Sequence, residues 1–298
     1  MRLPIVFSID HNFVMPLCVT INSLLLSSKE ETEFDFNVII KSDVSEEDKK
    51  KILCQIDCWG QKNSIKFIDS GSYFDRSYET RGITSACYNR MLIPWLLPDY
   101  DKVIYSDCDV IFQGDISDVL LIDLDKYLLA GVNSEVWNKG VIKKYIEAIG
   151  VNPKEYVNSG FLVINSELQR QSNLKNLYLE LGKKKYVYQD QDIINLVCKG
   201  KILGLPLRYN VNPSDAKKED DVRMIHYVGK KPWQGATDCM ENWWKVFEKS
   251  IVYDKDFHKR FFTNNLSKIK LLSEFPKRLK ENIKFRSKLI WTIFNGGI

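Results

Sequence analysis

The first residues in this chain that could do chemistry are two carboxylates, one residue apart, at the end of an apolar run. Asp107-Cys108-Asp109 follows Val103-Ile104-Tyr105 and precedes Val110-Ile111-Phe112. The spacing alone carries little, because Asp-x-Asp occurs five times, at 99/101, 107/109, 123/125, 190/192 and 254/256. Only the 107/109 pair has buried-strand sequence directly on both sides, which sets both carboxylates at a sheet rim. Oxygen ligands so placed can hold a hard divalent cation; a strand-end turn is the competing reading. His226 closes a second short apolar run, Val222–Ile225, and leads into Tyr-Val-Gly-Lys-Lys-Pro-Trp. Gly229 lets backbone approach an anion, and Lys230 and Lys231 bring charge. The plain alternatives are a structural histidine and a solvated lysine loop. Imidazole with two carboxylates suits Mn²⁺ better than Ca²⁺.

Two amide-rich segments add to this. Asn158-Ser159-Gly160 stands just before a strand, where an ordinary turn would also fit. Tyr188-Gln189-Asp190-Gln191-Asp192 opens a helix through Ile193, Ile194 and Leu196. Acidic residues in a first helical turn complement the helix dipole. The glutamines between them offer a hydrogen-bonding surface for a polyhydroxylated ligand.

The elements that must position these groups alternate. Strands are expected at Leu3–Ile9, Phe36–Ile40, Ile65–Ile68, Lys102–Ser106, Tyr127–Val132, Phe161–Ile164, Ile202–Leu205 and Val222–Ile225. Helices are expected over Met15–Leu26, after Ser45 as N-cap with Asp48 three residues on, over 85–96, and over Glu241–Lys249. The pattern predicts an α/β fold with a mixed, mostly parallel sheet and helices on both faces. Ligands of such sheets bind beyond the carboxyl ends of the strands. Asp10 and Asp107 end two of them, so they share a rim if those strands run parallel.

The chain of 298 residues is 44% hydrophobic, enough for one large core and no disordered half. Seven cysteines, at 18, 54, 58, 87, 108, 198 and 239, form no paired ladder, so reduced and mostly buried thiols are expected rather than zinc or disulfides. The apolar start is too short for a signal peptide, and no stretch reaches the roughly 20 apolar residues that span a bilayer. A cytoplasmic protein is expected. The net charge of +4 is uneven: residues 258–298 carry ten Lys/Arg against two acidic residues, which leaves the body acidic. That body, with no nucleic-acid motif, argues against nucleic-acid binding. Residues 1–250 read as a catalytic domain and 251–298 as a basic C-terminal region. Within it Phe275, Leu279, Ile283, Leu289, Ile290, Trp291 and Phe294 could dip into a leaflet while Lys and Arg meet anionic lipid, giving peripheral attachment at an inner membrane face. A soluble helix packed on the body is the alternative.

Six stretches, in order, resemble glycosyltransferase family 8, which includes bacterial lipopolysaccharide galactosyl- and glucosyltransferases and glycogenin. They are Ile5-Val-Phe-Ser-Ile-Asp-His-Asn, Tyr88-Asn-Arg, Val103-Ile-Tyr-Ser-Asp-Cys-Asp-Val, Asn158-Ser-Gly-Phe-Leu-Val-Ile-Asn, Tyr188-Gln-Asp-Gln-Asp-Ile and His226-Tyr-Val-Gly-Lys-Lys-Pro-Trp. The resemblance covers residues 3–250. It implies a GT-A fold, a UDP-hexose donor, Mn²⁺ (or Mg²⁺) and retention of anomeric configuration, with a glycan, glycolipid or glycoprotein as acceptor. By position it implies Asp107, Asp109 and His226 as metal ligands and Gly229 and Lys231 as diphosphate contacts. It places Ser8, Asp10 and Asn12 on the nucleoside and Arg90, Asn158, Ser159, Asp190 and Gln191 near the donor sugar, with Cys108 also in the donor site. Asp190 and Gln191 are the catalytic candidates. One departure concerns the strand end Leu129-Ala-Gly-Val-Asn-Ser-Glu, where Asn133, Ser134 and Glu135 stand in place of a frequent Asp, which leaves the donor sugar open. A protein-directed transferase, a metal-dependent nucleotidyltransferase and a sugar-binding scaffold are the other readings. The nucleotidyltransferase is disfavoured because no early Gly-rich loop occurs.

Overall fold

The computed structural model describes residues 2–60, 62–80, 82–133 and 138–271. The N-terminal half alternates β1 (Arg2–Ile9), α1 (Val14–Ser27), β2 (Glu33–Ile40), α2 (Glu46–Asp57) and β3 (Ser64–Asp69). A 3₁₀ stretch over Ser85–Leu92 runs into the short α3 (Ile93–Leu96), then β4 (Lys102–Ser106) and β5 (Val110–Phe112). The second half holds β6 (Leu129–Asn133), α4 (Gly140–Ala148), β7 (Val157–Asn165), α5 (Ser166–Gln171), α6 (Lys175–Leu181) and α7 (Gln189–Val197). It closes with β8 (Ile202–Leu205), β9 (Met224–His226), α8 (Met240–Phe247) and α9 (Lys255–Leu271).

Seven strands form one sheet in the order β3-β2-β1-β4-β7-β6-β8. β1 pairs parallel with β2 and β4, β2 with β3, and β6 with β8, whereas β7 runs antiparallel to both β4 and β6. The mixed, mostly parallel expectation holds, and β7 is the one reversed strand. Alternation along the strands splits the core between the two faces. Leu3, Ile5, Phe7, Ile104, Phe161 and Val163 pack on one side with α1, and Val6, Val103, Tyr105, Leu162 and Ile164 on the other. β5 and β9 form a separate antiparallel pair in which Val110 faces His226.

Reversal of β7 matters for the site. The rim of a parallel sheet ordinarily collects strand carboxyl ends; an antiparallel neighbour adds its own amino end. Ser106 pairs with Phe161, and the Asp107 N–H donates to the Gly160 carbonyl at 2.8 Å, so Asn158-Ser159-Gly160 lies beside the carboxyl end of β4. These three residues belong to β7 itself rather than to a preceding turn. The helical stretch expected over 85–96 is present, as a 3₁₀ helix over Ser85–Leu92 that passes into α3 at Ile93.

A third apolar cluster is mainly aromatic. Trp243, Trp244 and Phe247 of α8 meet Phe261 of α9, Tyr227 and Ile111, fixing the end of β9 against α1. The Trp244 and Phe261 rings lie 4.6 Å apart, so the start of α9 is packed on the body and residue 250 is no packing boundary. The amphipathic segment 276–294 lies outside the described residues. Among the described residues, no helix is long and apolar enough to cross a membrane. Cys18, Cys87, Cys108, Cys198 and Cys239 are buried thiols, but Cys54 and Cys58 are exposed.

At the start of α2 the expected cap is complete. The Asp48 N–H donates to Ser45 Oγ and the Ser45 N–H to Asp48 Oδ2, satisfying two helix-end donors reciprocally. Replacement of Ser45 by Ala should destabilise the fold by about 1 kcal/mol, read as a lower urea midpoint with an unchanged slope, and should leave ligand binding untouched.

Candidate active site

Three elements bring the site together. Asp107 follows β4, Asp109 precedes β5, and His226 ends β9, where the Val110 to His226 pairing sets the imidazole beside the carboxylates. His226 Nε2 is 3.3 Å from Asp109 Oδ1 and 3.7 Å from Asp107 Oδ2. One ligand atom from each of the three residues lies within 4.8 Å of the others. Ligands bound to one ion at about 2.1 Å sit roughly 3 Å apart when adjacent, so the donor set fits a small divalent cation. Asp109 and His226 are buried, and Asp107 is half-buried at the rim.

Charge around the three is organised. The Lys231 ammonium contacts Asp109 Oδ2 and also donates to the Tyr227 carbonyl at 3.0 Å. Burial opposes ionisation of Asp109, but Lys231 and then His226 outweigh it and hold the carboxyl well below the usual carboxylate range. Arg90, buried, reaches Asp107 Oδ1 at 2.9 Å and Asp190 Oδ2 at 3.1 Å, and donates to the Ser159 carbonyl at 2.7 Å. It stacks over the Tyr105 ring at 4.5 Å, and the Tyr105 hydroxyl donates to Asp107 Oδ1 at 2.7 Å. Burial pushes the Asp190 carboxyl above its ordinary value; Arg90 pulls it down and Asp107 adds to the rise. Asp107, Asp109 and Asp190 face Arg90 and Lys231, so the cluster has one carboxylate more than it has side-chain cations. A divalent ion complements that excess.

The amide groups form a floor. Gln191 Oε1 accepts from Asn158 Nδ2 at 3.0 Å and from the Ser159 N–H at 3.2 Å, while Gln191 Nε2 donates to the Tyr156 hydroxyl at 3.0 Å. Tyr156 in turn donates to Asp192 Oδ1 at 2.5 Å, and Tyr145 to Asp192 Oδ2 at 2.7 Å. Asp192 is fully buried and braces the helix start rather than facing ligand. Gln189, just before Asp190, adopts a left-handed φ of 47° and donates to the Tyr78 carbonyl at 2.9 Å.

The first loop lies on the same rim. Asp10 accepts from Thr84 Oγ1 at 2.8 Å and from the Asn12 N–H at 2.9 Å; Ser8 donates to the Ala86 carbonyl at 2.8 Å; the Asn12 side chain is exposed. β1 and β4 are parallel, so Asp10 and Asp107 do share that rim. Gly229 has a φ of 83°, which only glycine adopts freely, and opens the loop that carries Lys231. The Phe13 and Trp233 rings meet edge to face at 6.3 Å, joining the first loop to the last.

Two of the expected site residues have partners within the protein. The Cys108 side chain is buried in the apolar core with Ile104 and Phe161, and burial pushes its thiol well above the ordinary value; its carbonyl accepts from Thr20 Oγ1. Alternation along the chain turns its side chain into the core while Asp107 and Asp109 face the rim. Arg90, expected at the sugar, is engaged with Asp107 and Asp190 and holds them in place. Ser134 and Glu135 lie outside the described residues, and Asn133 Nδ2 donates to the Pro153 carbonyl at 3.0 Å. Tyr105, Tyr156 and Asn210 were not legible: Tyr105 read as part of an apolar strand, and Tyr156 and Asn210 stand in no motif.

A sheet rim that joins a carboxylate pair, an imidazole and a loop lysine to an amide-lined floor is the make-up of an enzyme site for an anionic, polyhydroxylated substrate. Residues 4–237 match the family model Glycosyl transferase family 8, and the chain belongs to that family. A Haemophilus influenzae relative is 27% identical over 71% of this chain, which spans 64% of that relative's length. The lipopolysaccharide 1,3-galactosyltransferase of Salmonella typhimurium is 25% identical, covering 77% of this chain and 72% of its own. Among solved structures, galactosyltransferase LgtC in complex with donor and acceptor sugar analogs superposes with a TM-score of 0.73 at 24% identity, over 87% of this chain and 100% of that one. The bifunctional glycosyltransferase WbbM, in apo form, gives 0.76 at 24% identity over 88% of this chain and 52% of its own. These likenesses share the fold.

Gly160 is the tightest point of the site. A Cβ there would lie 2.2 Å from His226 Cε1 and 2.8 Å from Asp107 Oδ2. Gly160→Ala must therefore displace one of these groups. Affinity for a divalent cation, measured by calorimetry, should fall roughly tenfold or more, while far-UV circular dichroism stays that of the parent.

Proposed function

We propose that this chain is a retaining hexosyltransferase that moves galactose or glucose from a UDP-sugar to a glycan or glycolipid acceptor, with Mn²⁺ held by Asp107, Asp109 and His226. The observation that carries this reading is the convergence of those three side chains at a sheet rim, with Lys231 beside them. The Salmonella relative and the lipopolysaccharide glucosyltransferase WaaO of Escherichia coli support the acceptor class and a place in cell-surface glycan synthesis.

When bound, the cation neutralises the charge that builds on the departing diphosphate. Lys231 is placed to add a second positive group there, and Gly229 lets the loop backbone approach the same anion. Ser8, Asp10 and Asn12 line the rim where the nucleoside is assigned. Arg90 favours the charged form of Asp190 against its burial and orients it, so that its carboxyl and the amides of Asn158 and Gln191 can meet the sugar.

Retention by same-face attack fits the geometry better than a covalent intermediate on Gln191. An amide oxygen is a weak nucleophile, and Gln191 Oε1 already accepts two N–H groups. In the same-face route the acceptor hydroxyl oxygen bonds to the anomeric carbon as the bond from that carbon to the phosphate oxygen breaks. The hydroxyl proton passes to the departing phosphate oxygen, and no protein base is needed. Peripheral attachment to an anionic membrane surface through residues 276–294 is proposed from their sequence alone.

The test is a donor panel. UDP release is measured from UDP-galactose, UDP-glucose and other UDP-sugars, with Mn²⁺, with Mg²⁺ and with chelator. One hexose donor should turn over, with loss of activity on chelation. Asp109→Asn should lower that turnover by roughly 100-fold or more, with the far-UV circular dichroism of the parent and a lowered melting temperature, because Lys231 loses its buried partner. Equal turnover in chelator, or in the Asn variant, would overturn the proposal.

A further inference from the structure

Asn210 lies outside every motif of the sequence, yet among the described residues it is the side chain bonded to the far nitrogen of the proposed imidazole ligand. His226 Nδ1 is 2.9 Å from Asn210 Oδ1. Asn210 Nδ2 donates to Asn158 Oδ1 at 2.8 Å. Both asparagine contacts are set by backbone. Residues 209–211 run beside β9: the Val211 N–H donates to the Met224 carbonyl and the His226 N–H to the Val211 carbonyl. The two side chains are thereby held next to each other, with Asn210 and His226 buried.

The orientation of the Asn210 amide follows from a donor that cannot be reversed. The Gly160 N–H donates to Asn158 Oδ1 at 2.9 Å, and a backbone N–H has no acceptor alternative. Asn158 therefore keeps its oxygen toward Gly160 and Asn210. Its Nδ2 faces Gln191 Oε1, which is held the same way by the Ser159 N–H. With Asn158 presenting an acceptor, Asn210 must turn its NH₂ to it, and its oxygen then faces His226. An amide oxygen needs a donor, so the proton of a neutral His226 ring belongs on Nδ1. The Nε2 lone pair is left directed at Asp107 and Asp109.

We propose that Asn210 is a positioning residue: it fixes the His226 tautomer that presents Nε2 to the cation, through a directional chain anchored on the Gly160 N–H. This rests on His226 being a metal ligand. Outer partners of metal-bound imidazoles generally fix tautomer and ring orientation, and their loss costs roughly 10–100-fold in metal affinity. Flipping the Asn210 amide to serve the other tautomer would set oxygen against oxygen at Asn158, so that tautomer loses one buried hydrogen bond whichever way the amide points.

The test uses the full chain, its histidines labelled with ¹⁵N. Two-bond ¹H–¹⁵N spectra of metal-free protein are followed as the pH is raised until the ring is neutral. His226 is assigned by its absence in His226→Gln. Mn²⁺ affinity is measured in parallel by calorimetry. The wild-type ring should carry its proton on Nδ1. Asn210→Ala should gain the Nε2–H form and bind Mn²⁺ roughly 10–100-fold more weakly. Asn210→Asp keeps an acceptor facing Nδ1 but loses the donor to Asn158 Oδ1; it should retain the wild-type tautomer, and the tautomer is what this variant decides. A wild-type ring protonated on Nε2 overturns the proposal by itself, even if Asn210→Ala does not fold. So does an Asn210→Ala protein with unchanged tautomer and affinity, or an Asn210→Asp protein whose neutral ring carries its proton on Nε2. Absence of Mn²⁺ binding by the wild type would defeat the metal reading instead, with the tautomer still decided by the spectra.

Discussion

Arg90 lies under the whole site, between two carboxylates that could not otherwise be close. Asp107 and Asp190 are far apart in the sequence and meet the same buried guanidinium, which is also bound to the β7 backbone at Ser159. Removing one partner of such a buried pair costs about 3–5 kcal/mol, because the remaining charge is left without compensation. The rim is therefore an electrostatic assembly before it is a catalytic one. Tyr105 stacking, the Asp109 to Lys231 contact and the amide floor are all arranged around charge that has already been taken out of water.

That arrangement leaves a site poised for a cation yet already partly neutralised. Lys231 occupies one oxygen of Asp109 while the other faces His226. Asp107 shows a similar division, with one oxygen toward Arg90 and Tyr105 and the other toward His226. Each carboxylate is thus oriented by a fixed group on one side and keeps its second oxygen for a ligand on the other. Orientation of this kind distinguishes a preformed binding site from a loose acidic patch.

Much of this was legible in the sequence because it is local. A charge that terminates an apolar run marks a strand end, which located Asp10, Asp107 and His226. The capping pair Ser45 and Asp48 announced α2. Direction was less legible: hydrophobic alternation has no sign, so nothing in Phe161–Ile164 told that β7 runs against its neighbours and draws Asn158-Ser159-Gly160 into the strand. Partnership was least legible. Tyr105 counts as apolar in any strand pattern, and Asn210 matters only through residues 16 and 52 positions away. Cys108 shows the converse, a residue inside the most telling motif whose side chain belongs to the core. Lys231 was expected at a diphosphate; its contact with Asp109 depends on how the loop folds back.

The ligand set has a consequence for biosynthesis. Asp107 and Asp109 leave the ribosome long before His226, and β7, which shapes the floor, pairs with a strand some sixty residues earlier. No partial chain holds the complete constellation, and pairings of such long range form slowly. A nascent polypeptide therefore exposes an acidic pair without its imidazole. Full capacity for a cation arrives only after β9 has docked on β5 and the tryptophan-rich helix has closed behind it.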